Sequence, residues 1–227
     1  MPGLDWKVAR SPQRVPLEGT TVVLEPVEPE RHATTLFTSS EPAPELWAHL
    51  AYGPFANQAV FTKWLEDRAA TEDPLFYAIV DRAAGGARGM ASFLRMEPVH
   101  GVIEIGHIWF APALQRTRQA TEAIYLLARH AFDDLGYRRL EWKCDSLNEP
   151  SRRAAERFGF VYEGMFRQHM VVKGRSRDTA WYSILDGEWP AVRAAFEAWL
   201  APENFDSEGR QLHSLSEIRA SVARPSE

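Results

Sequence analysis

The chain has 227 residues, 45% of them hydrophobic and 25% charged, a composition typical of a soluble globular protein with one domain. Its net charge of -5 excludes an overall basic surface, so we expect no nucleic-acid partner, and its single cysteine, Cys144, excludes an internal disulfide. The chain shows no signal sequence at its N-terminus and no apolar run as long as a membrane span. We therefore expect a cytoplasmic protein with no membrane partner.

The first third of the chain predicts a strand and two helices around an aromatic loop. After an aperiodic N-terminal arm (residues 1–17), β-branched residues predict a strand at 20–27, and apolar periodicity predicts helices at 29–37 and 58–70. The loop between the helices, 41–57, carries Trp47, Leu50, Tyr52 and Phe55. Such a loop either covers the core or lines a substrate site, and covering the core is the simpler interpretation.

The middle of the chain predicts a three-stranded antiparallel meander, with strands at 75–80, 89–96 and 102–110. Gly106, inside the third strand, suggests a bulge or a close backbone approach. Apolar residues three and four apart then predict an amphipathic helix over 117–135. A strand that leads into a helix N-terminus exposes unpaired backbone N–H groups, which favours a phosphate site. The alternative is an ordinary buried strand–helix unit.

The last part of the chain predicts a parallel strand at 139–145 and a short helix over 148–158, with Asn148 as its cap and Gly159 as its stop. Two strands, 160–172 and 179–185, flank a polar loop at 173–178. A helix at 189–200 precedes a polar tail, 201–227, in which a short helix is possible at 214–222. The order of elements predicts a mixed α/β sheet in a single domain.

Several motifs in this order resemble the GNAT superfamily of N-acetyltransferases, and within it the RimJ/RimL-type branch that is named for acetylating ribosomal proteins. The resemblance covers about residues 18–187. The residues that carry it are Ile103-Glu104-Ile105-Gly106-His107-Ile108-Trp109-Phe110, Thr121-Glu122-Ala123, Leu135-Gly136-Tyr137-Arg138-Arg139, Asn148-Glu149-Pro150-Ser151, Gly159-Phe160-Val161-Tyr162-Glu163-Gly164 and the stretch from Asp178 to Leu185.

The resemblance implies a GNAT-like acyl-CoA N-acyltransferase fold over residues 18–200. It also implies acetyl-CoA as donor, a primary amine as acceptor (a small molecule or a protein N-terminus), and direct transfer between them. Relatives often form homodimers through sheet edges, so a homodimer is a further prediction. We expect no metal, because the seven histidines and the single cysteine show no metal-ligand spacing.

By the same resemblance, the pantetheine arm of CoA lies between two splayed strands and pairs with the backbone of Ile108, Trp109 and Phe110. Asn148 is expected to bond the pantetheine amides. The pyrophosphate is expected at the start of the long helix, on Gln115, Arg116, Thr117, Arg118, Gln119, Ala120 and Thr121. Arg118 stands where the family usually has a central glycine. It must therefore be helical or narrow the pocket, although Arg116 and Arg118 bring charge that suits phosphates.

Three side chains are candidates for catalysis. Glu104 matches a carboxylate that in many relatives deprotonates the amine through water, and its alternative is a strand residue paired with an arginine. His107 titrates in a suitable range, but a lone histidine in an apolar strand is usually packed. Glu104 and His107 face opposite sides of the sheet unless Gly106 is bulged. Ser151 matches a serine that protonates the leaving thiolate, or is simply a first-turn residue.

Two departures from the family pattern weaken a direct transfer of its mechanism. Ala155 stands where some relatives have a tyrosine, and Met170 stands where RimL-like members have an acidic residue, which makes the preceding His169 a secondary candidate. Backbone N–H groups near Ile108 and Trp109 are expected to polarise the thioester carbonyl. The competing interpretations are a non-catalytic CoA- or acyl-CoA-binding module and a protein-interaction module that uses the aromatic loop.

Overall fold

The computed structural model describes residues 6–222, in which eight strands form one mixed sheet in the order β1-β2-β3-β4-β5-β6-β8-β7. The strands are β1 (Leu17–Glu18), β2 (Val22–Pro26), β3 (Leu75–Asp81), β4 (Gly86–Glu97), β5 (Val102–Phe110), β6 (Arg139–Asp145), β7 (Val161–Val172) and β8 (Arg175–Leu185). The α-helices are α1 (Pro29–Ser40), α2 (Gln58–Ala69), α3 (Arg118–Arg129), α4 (Glu149–Phe158), α5 (Trp189–Leu200) and α6 (Leu215–Val222).

The predicted mixed α/β fold and its central topology are confirmed. Strands β3, β4 and β5 form the antiparallel meander, and β5 pairs with β6 in parallel, with α3 as the crossover between them. A parallel pair needs such a long connection because the chain must return to the end of the sheet at which the first strand began. The remaining pairs, including β6 with β8 and β8 with β7, are antiparallel.

Helices lie on both faces of the sheet and bury its central strands on two sides, whereas most residues of the edge strand β7 are exposed. Alternating side chains of β3 show this division: Leu75, Tyr77 and Ile79 enter one core with α3 and α5, whereas Phe76 and Ala78 enter a second core with α1 and α2. We call these two sides of the sheet the α3 face and the α1 face.

Several predicted boundaries differ from the structure. The predicted helix 117–135 ends at Arg129 and continues as a π-helical turn, His130–Asp134, before Leu135. The predicted loop 173–178 is wrong in part, because β8 already begins at Arg175 and its first residues pair with the end of β7. Periodicity could not place this start, because the residues from Arg175 to Asp178 are polar and lack the alternation that marks a half-buried strand.

The terminal segments pack against the sheet and helices where they are described. In the arm, the Trp6 indole Nε1 donates to the Val99 carbonyl at 3.0 Å, and Ala9 N donates to Pro98 O at 3.1 Å. Near the other end, the helix expected at 214–222 is confirmed as α6, with Leu215 buried. The division into an arm, a domain at 18–200 and a tail stays a prediction, and residues 1–5 and 223–227 lie outside the described part. Within residues 6–222 no helix is long and apolar enough to cross a membrane.

Candidate active site

The centre of the sheet opens between β5 and β6. These strands pair only from Val102 to Ile105 on β5, opposite Arg139 to Trp142 on β6. Beyond this point β6 keeps pairing with β8 as far as Asp145, while β5 stays with β4 to Phe110. The two strands therefore splay apart, and the β6-facing edge of β5 beyond Ile105 is free of the parallel ladder.

A bulge changes the direction of side chains along the open part of β5. The register against β4 moves between the pairs Ser92–Gly106 and Met90–Trp109, which leaves two residues of β5 opposite one of β4. His107 has a φ of 51°, in the left-handed region. The bulge is thus at His107 and Ile108, one residue beyond the glycine that suggested it. It turns His107 onto the α1 face, the face that Glu104 also occupies.

Glu104 lies on the α1 face at the base of the splay and is only 4% exposed. Its Oε2 accepts a hydrogen bond from Arg95 Nη1 at 2.9 Å and lies 3.0 Å from Lys143 Nζ. Burial raises the pKa of the Glu104 carboxyl above its usual range, and the charges of Lys143 and Arg95 counteract part of that effect. The sequence left two interpretations of Glu104, a carboxylate beside the opening and a strand residue paired with an arginine. The structure has both features together.

A row of alternating charges continues from Glu104 across the α1 face. Lys143 Nζ lies 2.7 Å from Glu141 Oε2, and Arg139 Nε donates to Glu141 Oε1 at 2.8 Å. Arg139 Nη1 donates in turn to Glu163 Oε1 at 2.7 Å. Reasoning from the sequence missed Lys143 and Arg95. The alternation in Arg139–Asp145 (RLEWKCD) does place Glu141 and Lys143 on one face of a buried strand, and that was the available signal.

His107 belongs to an aromatic cluster. Its Nδ1 lies 3.3 Å from the Tyr52 hydroxyl, and its ring centroid is 4.9 Å from that of Phe76. Burial, with the nearby charges of Arg68 and Arg95, lowers the pKa of His107 to about 4. The imidazole is consequently neutral at pH 7, and it is a weak base.

The α1–α2 loop closes over the α1 face and borders the splay. Trp47 packs on Trp109 with ring centroids 5.2 Å apart, and its carbonyl accepts a hydrogen bond from Lys173 Nζ at 2.7 Å. His49 Nδ1 lies 3.1 Å from Asp145 Oδ2 at the end of β6. The loop therefore covers the core, as expected, and also forms a wall beside the opening. A groove of 890 Å³ adjoins this wall; it is lined by Asp145, Ser146, Leu147, Arg167, Gln168, Ser176 and Asp178.

The N-terminus of α3 lies just beyond β5, after a turn in which Arg116 has a φ of 61°. Thr117 caps the helix, and its Oγ1 accepts from Ala120 N at 3.2 Å. The N–H groups of Arg118 and Gln119 have no acceptor among residues 6–222. Such a helix start favours an anion.

The side chains of this helix start are mostly engaged elsewhere. Arg118 is helical; its Nη2 donates to the Leu200 carbonyl, and its guanidinium lies 4.8 Å from the centre of the Phe205 ring. Ala120 and Thr121 are buried, and the Thr121 hydroxyl accepts from Arg157 Nη1 at 3.1 Å. Any anion bound here would meet backbone N–H groups before these side chains.

The start of α4 forms the other side of the splay. Asn148 is the predicted cap, with its Oδ1 accepting from Ser151 N at 3.1 Å. Ser151 Oγ accepts from Trp142 Nε1 at 3.0 Å, and burial raises the pKa of the Cys144 thiol, an effect that Ser151 partly opposes. Across the opening, Gln115 Nε2 donates to the Phe110 carbonyl at 3.0 Å. Among residues 6–222, no cluster of three or more His, Cys, Asp or Glu side chains is arranged to hold a metal ion.

Comparison with known proteins assigns this splayed sheet to a family. Residues 21–161, more than half of the chain, match the acetyltransferase (GNAT) domain. The chain belongs to the GNAT family. It is an N-acetyltransferase, as its relatives are.

Solved structures of GNAT proteins resemble this one closely. A GCN5-related N-acetyltransferase from Brucella melitensis is 50% identical with a TM-score of 0.93, over 95% of this chain and 99% of that one. A probable GNAT acetyltransferase from Chromobacterium violaceum is 45% identical with a TM-score of 0.79, over 84% of this chain and 96% of that one. YdaF of Bacillus subtilis, provisionally named a ribosomal N-acetyltransferase, is 29% identical over 75% of this chain and 92% of its own length.

Proposed function

We propose that this GNAT enzyme moves an acetyl group from acetyl-CoA directly to a primary amine. The observation that carries the proposal is the juxtaposition, at one splay of the sheet, of a buried carboxylate and a helix N-terminus with unpaired N–H groups. Glu104 lies at the base of the splay, and Arg118 N and Gln119 N lie beyond its β5 side. The first suits proton removal from an amine and the second suits a phosphate.

The residues around the splay fit CoA. The free edge of β5 at Ile108 and Trp109 offers backbone groups to the pantetheine amides, and the start of α3 offers N–H groups to the pyrophosphate. Asn148 uses its Oδ1 as a helix cap, so its NH₂ group is the part that can bond pantetheine. The Phe110 carbonyl already accepts from Gln115 and is a weaker candidate.

The chemistry needs a neutral amine, a polarised carbonyl and a proton for the leaving thiolate. The thioester supplies the activated acetyl group. Glu104 takes a proton from the ammonium form of the acceptor, directly or through water, and a raised pKa makes the carboxylate a better base. Backbone N–H groups near Ile108 and Trp109 stabilise the oxyanion as the amine forms its C–N bond. As the C–S bond breaks, the Ser151 hydroxyl supplies a proton to the sulfur and is reprotonated by the proton that the acylated nitrogen loses, so the products are the amide and the CoA thiol.

The acceptor that we propose is a protein or peptide N-terminus. Support comes from the names of two relatives, YdaF and a ribosomal-protein-serine acetyltransferase of Escherichia coli that is 31% identical over 44% of this chain and 56% of its own length. The open groove of 890 Å³ beside Asp145 also has room for an extended chain. A small-molecule amine is the alternative acceptor.

Replacement of Glu104 tests the proposal. We expect Glu104→Gln to lower kcat by about 10²- to 10⁴-fold, the usual contribution of a positioned base, when acetyl transfer to amino-terminal peptides and small amines is measured. Acetyl-CoA at ~100 times its dissociation constant should still stabilise wild type and variant by about 2.7 kcal/mol in thermal unfolding.

Glu97→Gln is the matched control, because Glu97 is an exposed residue of the neighbouring strand β4. It should keep the wild-type rate. Stabilisation by acetyl-CoA without turnover of any amine would favour the non-catalytic binding module, and the absence of stabilisation would contradict the proposed function altogether.

A further inference from the structure

The two carboxylate oxygens of Glu104 have different surroundings. Oε2 takes both cations, Arg95 Nη1 at 2.9 Å and Lys143 Nζ at 3.0 Å. Oε1 has no hydrogen-bond partner among residues 6–222. It points along β5 towards the splay, because it lies 3.4 Å from where a Cβ on Gly106 would be. One oxygen is thus held, while the other faces the open end of the strand.

Lys143 is itself fixed from three sides. Its side chain is 5% exposed, its Nζ lies 2.7 Å from Glu141 Oε2, and the ammonium lies 3.7 Å from the centre of the Trp181 ring. A lysine on the surface would lose much rotamer freedom on making such a contact, but here packing has already removed it. Arg95, by contrast, is 49% exposed on β4. Lys143 is therefore the rigid member of the pair that holds Oε2.

We propose that Lys143 is a positioning residue for the acetyl transfer: it fixes Oε2 of Glu104 so that Oε1 is presented to the acceptor amine at the splay. This inference rests on the proposed function and adds to it the residue that orients the base. Arg95 supports the same oxygen from the solvent side. Gly106 adds no side chain of its own beside Oε1, and the neighbouring side chain there is Leu94, whose Cδ2 lies 2.8 Å from where a Cβ on Gly106 would be.

The same contact controls the protonation of Glu104. Burial opposes the charged carboxylate, and Lys143, Arg95 and, with opposite sign, Glu141 are the charges that face it from β4 and β6. Burial lowers the pKa of His169 in the β7–β8 hairpin, and Arg95, Arg177 and Lys143 are close enough for their charges to lower it further. Without Lys143 the pKa of Glu104 rises further, so the base is protonated at a higher pH. Activity needs the carboxylate form of Glu104. On acidification, a variant without Lys143 should therefore begin to lose activity at a higher pH than the wild type does.

The test is the pH profile of kcat/KM for Lys143→Met and Lys143→Arg. We expect the acid limb of Lys143→Met to move up by about one pH unit or more, with a tenfold or larger loss at the acid end and a smaller loss at high pH. Lys143→Arg should restore most of the wild-type profile, because it keeps the charge. The dissociation constant for acetyl-CoA should stay within about twofold. A purely structural role would lower activity evenly across pH.

A second variant keeps the test decisive if Lys143→Met does not fold. Arg95→Gln removes the partly exposed partner of the same oxygen and should move the acid limb in the same direction by a smaller amount. If Glu104→Gln is inactive but neither variant moves the acid limb, the positioning role is overturned and the proposed function stands. If Glu104→Gln keeps the wild-type rate, the base is elsewhere and both assignments fail.

Discussion

At the scale of single residues, burial acts in opposite directions on two neighbouring titratable groups of β5. Desolvation penalises the charged form of each, so it raises the pKa of the Glu104 carboxyl and lowers that of the His107 imidazole to about 4. Glu104 gains from this as a base, whereas His107 loses basicity and stays neutral. Of the two, Glu104 is the better candidate for proton transfer, and His107 is better suited to shaping the bulge.

The lowered pKa of His107 predicts a pH dependence of stability. The unfolded chain binds a proton at this histidine below about pH 6.5, while the folded chain resists it until about pH 4. The contribution of His107 to the free energy of unfolding is therefore fully present above pH 6.5, and it decreases as the pH falls from 6.5 to 4. The decrease from this group is on the order of 3 kcal/mol at 1.36 kcal/mol per pKa unit. Urea unfolding across this pH range measures it.

His107→Phe is the variant to compare, because it keeps an aromatic ring between Tyr52 and Phe76 and does not titrate. We expect the difference in unfolding free energy between wild type and variant to vary with pH only between about 4 and 6.5. A difference that stays constant over this range would show that His107 is accessible to protons in the folded state.

The sequence identified Glu104 and His107 but not the way they come to share a face. An alternating strand pattern puts them on opposite sides, and the bulge that overrides it lies at His107, one residue after the glycine. The role of Lys143 could not be predicted from the sequence for a related reason. Its partner Trp181 is on β8, and that pairing depends on the tertiary register of β6 against β8, which local periodicity does not encode.

At the scale of elements, the start of α3 holds a positive side chain where the helix dipole disfavours one. The Arg118 side chain extends away from the start of α3 to the end of α5. There its guanidinium donates a hydrogen bond to the Leu200 carbonyl and lies over the Phe205 ring. A helix C-terminus favours a cation, so the same arginine joins the two helices. The sequence predicted charge for the phosphates here, and the fold uses that charge as a bridge.

Removal of this bridge should affect stability more than donor binding. We expect Arg118→Ala to lower the free energy of unfolding by about 1–3 kcal/mol, through loss of a charged hydrogen bond and a cation–π contact. The dissociation constant for acetyl-CoA should change by less than about threefold, and urea unfolding and calorimetric titration measure the two quantities. Arg116→Ala is the control for stability only, because it removes an equal charge from an exposed position in the preceding turn. A tenfold loss of affinity at unchanged stability would show that Arg118 binds phosphate.

At the scale of the whole molecule, the segment after α5 completes the α3 face. It lies beyond the family match of 21–161, yet Arg219 Nη1 donates to the Arg157 carbonyl at 2.8 Å and Phe205 packs edge-on against Trp199 at 5.2 Å. Asn204 is buried and bonds both the Trp199 and His213 carbonyls. The polar composition of 201–227 gave little sign of these contacts, because few apolar residues make them.

Truncation after Leu200 should therefore destabilise the enzyme. The loss includes burial of Leu215, for which Leu215→Ala alone should cost about 2–5 kcal/mol as a core truncation. We expect a lower urea midpoint for both variants, with the larger decrease for the truncated chain. A truncated chain as stable as the full one would support a boundary at residue 200 and a dispensable tail.

The order of the elements could be predicted from the sequence far better than the place where the sheet opens. The strand β5 is an apolar run rich in β-branched residues, and the apolar residues of α3 recur every three or four positions, so the type of each element is encoded locally. The splay after Ile105 was expected only from the family resemblance. Which strand edge opens depends on β6 remaining with β8 beyond Trp142, and that is decided by contacts between distant parts of the chain.

The buried thiol of Cys144 has a practical consequence for measuring this enzyme. Every turnover is expected to release one free CoA thiol, which aromatic disulfide reagents convert into colour. Cys144 is the single cysteine of the chain, it is 5% exposed, and burial raises its pKa, so the folded protein offers the reagent almost no competing thiolate. Colour that appears without an acceptor amine would then report donor hydrolysis or unfolding, and one equivalent per chain in denaturant would calibrate the protein concentration.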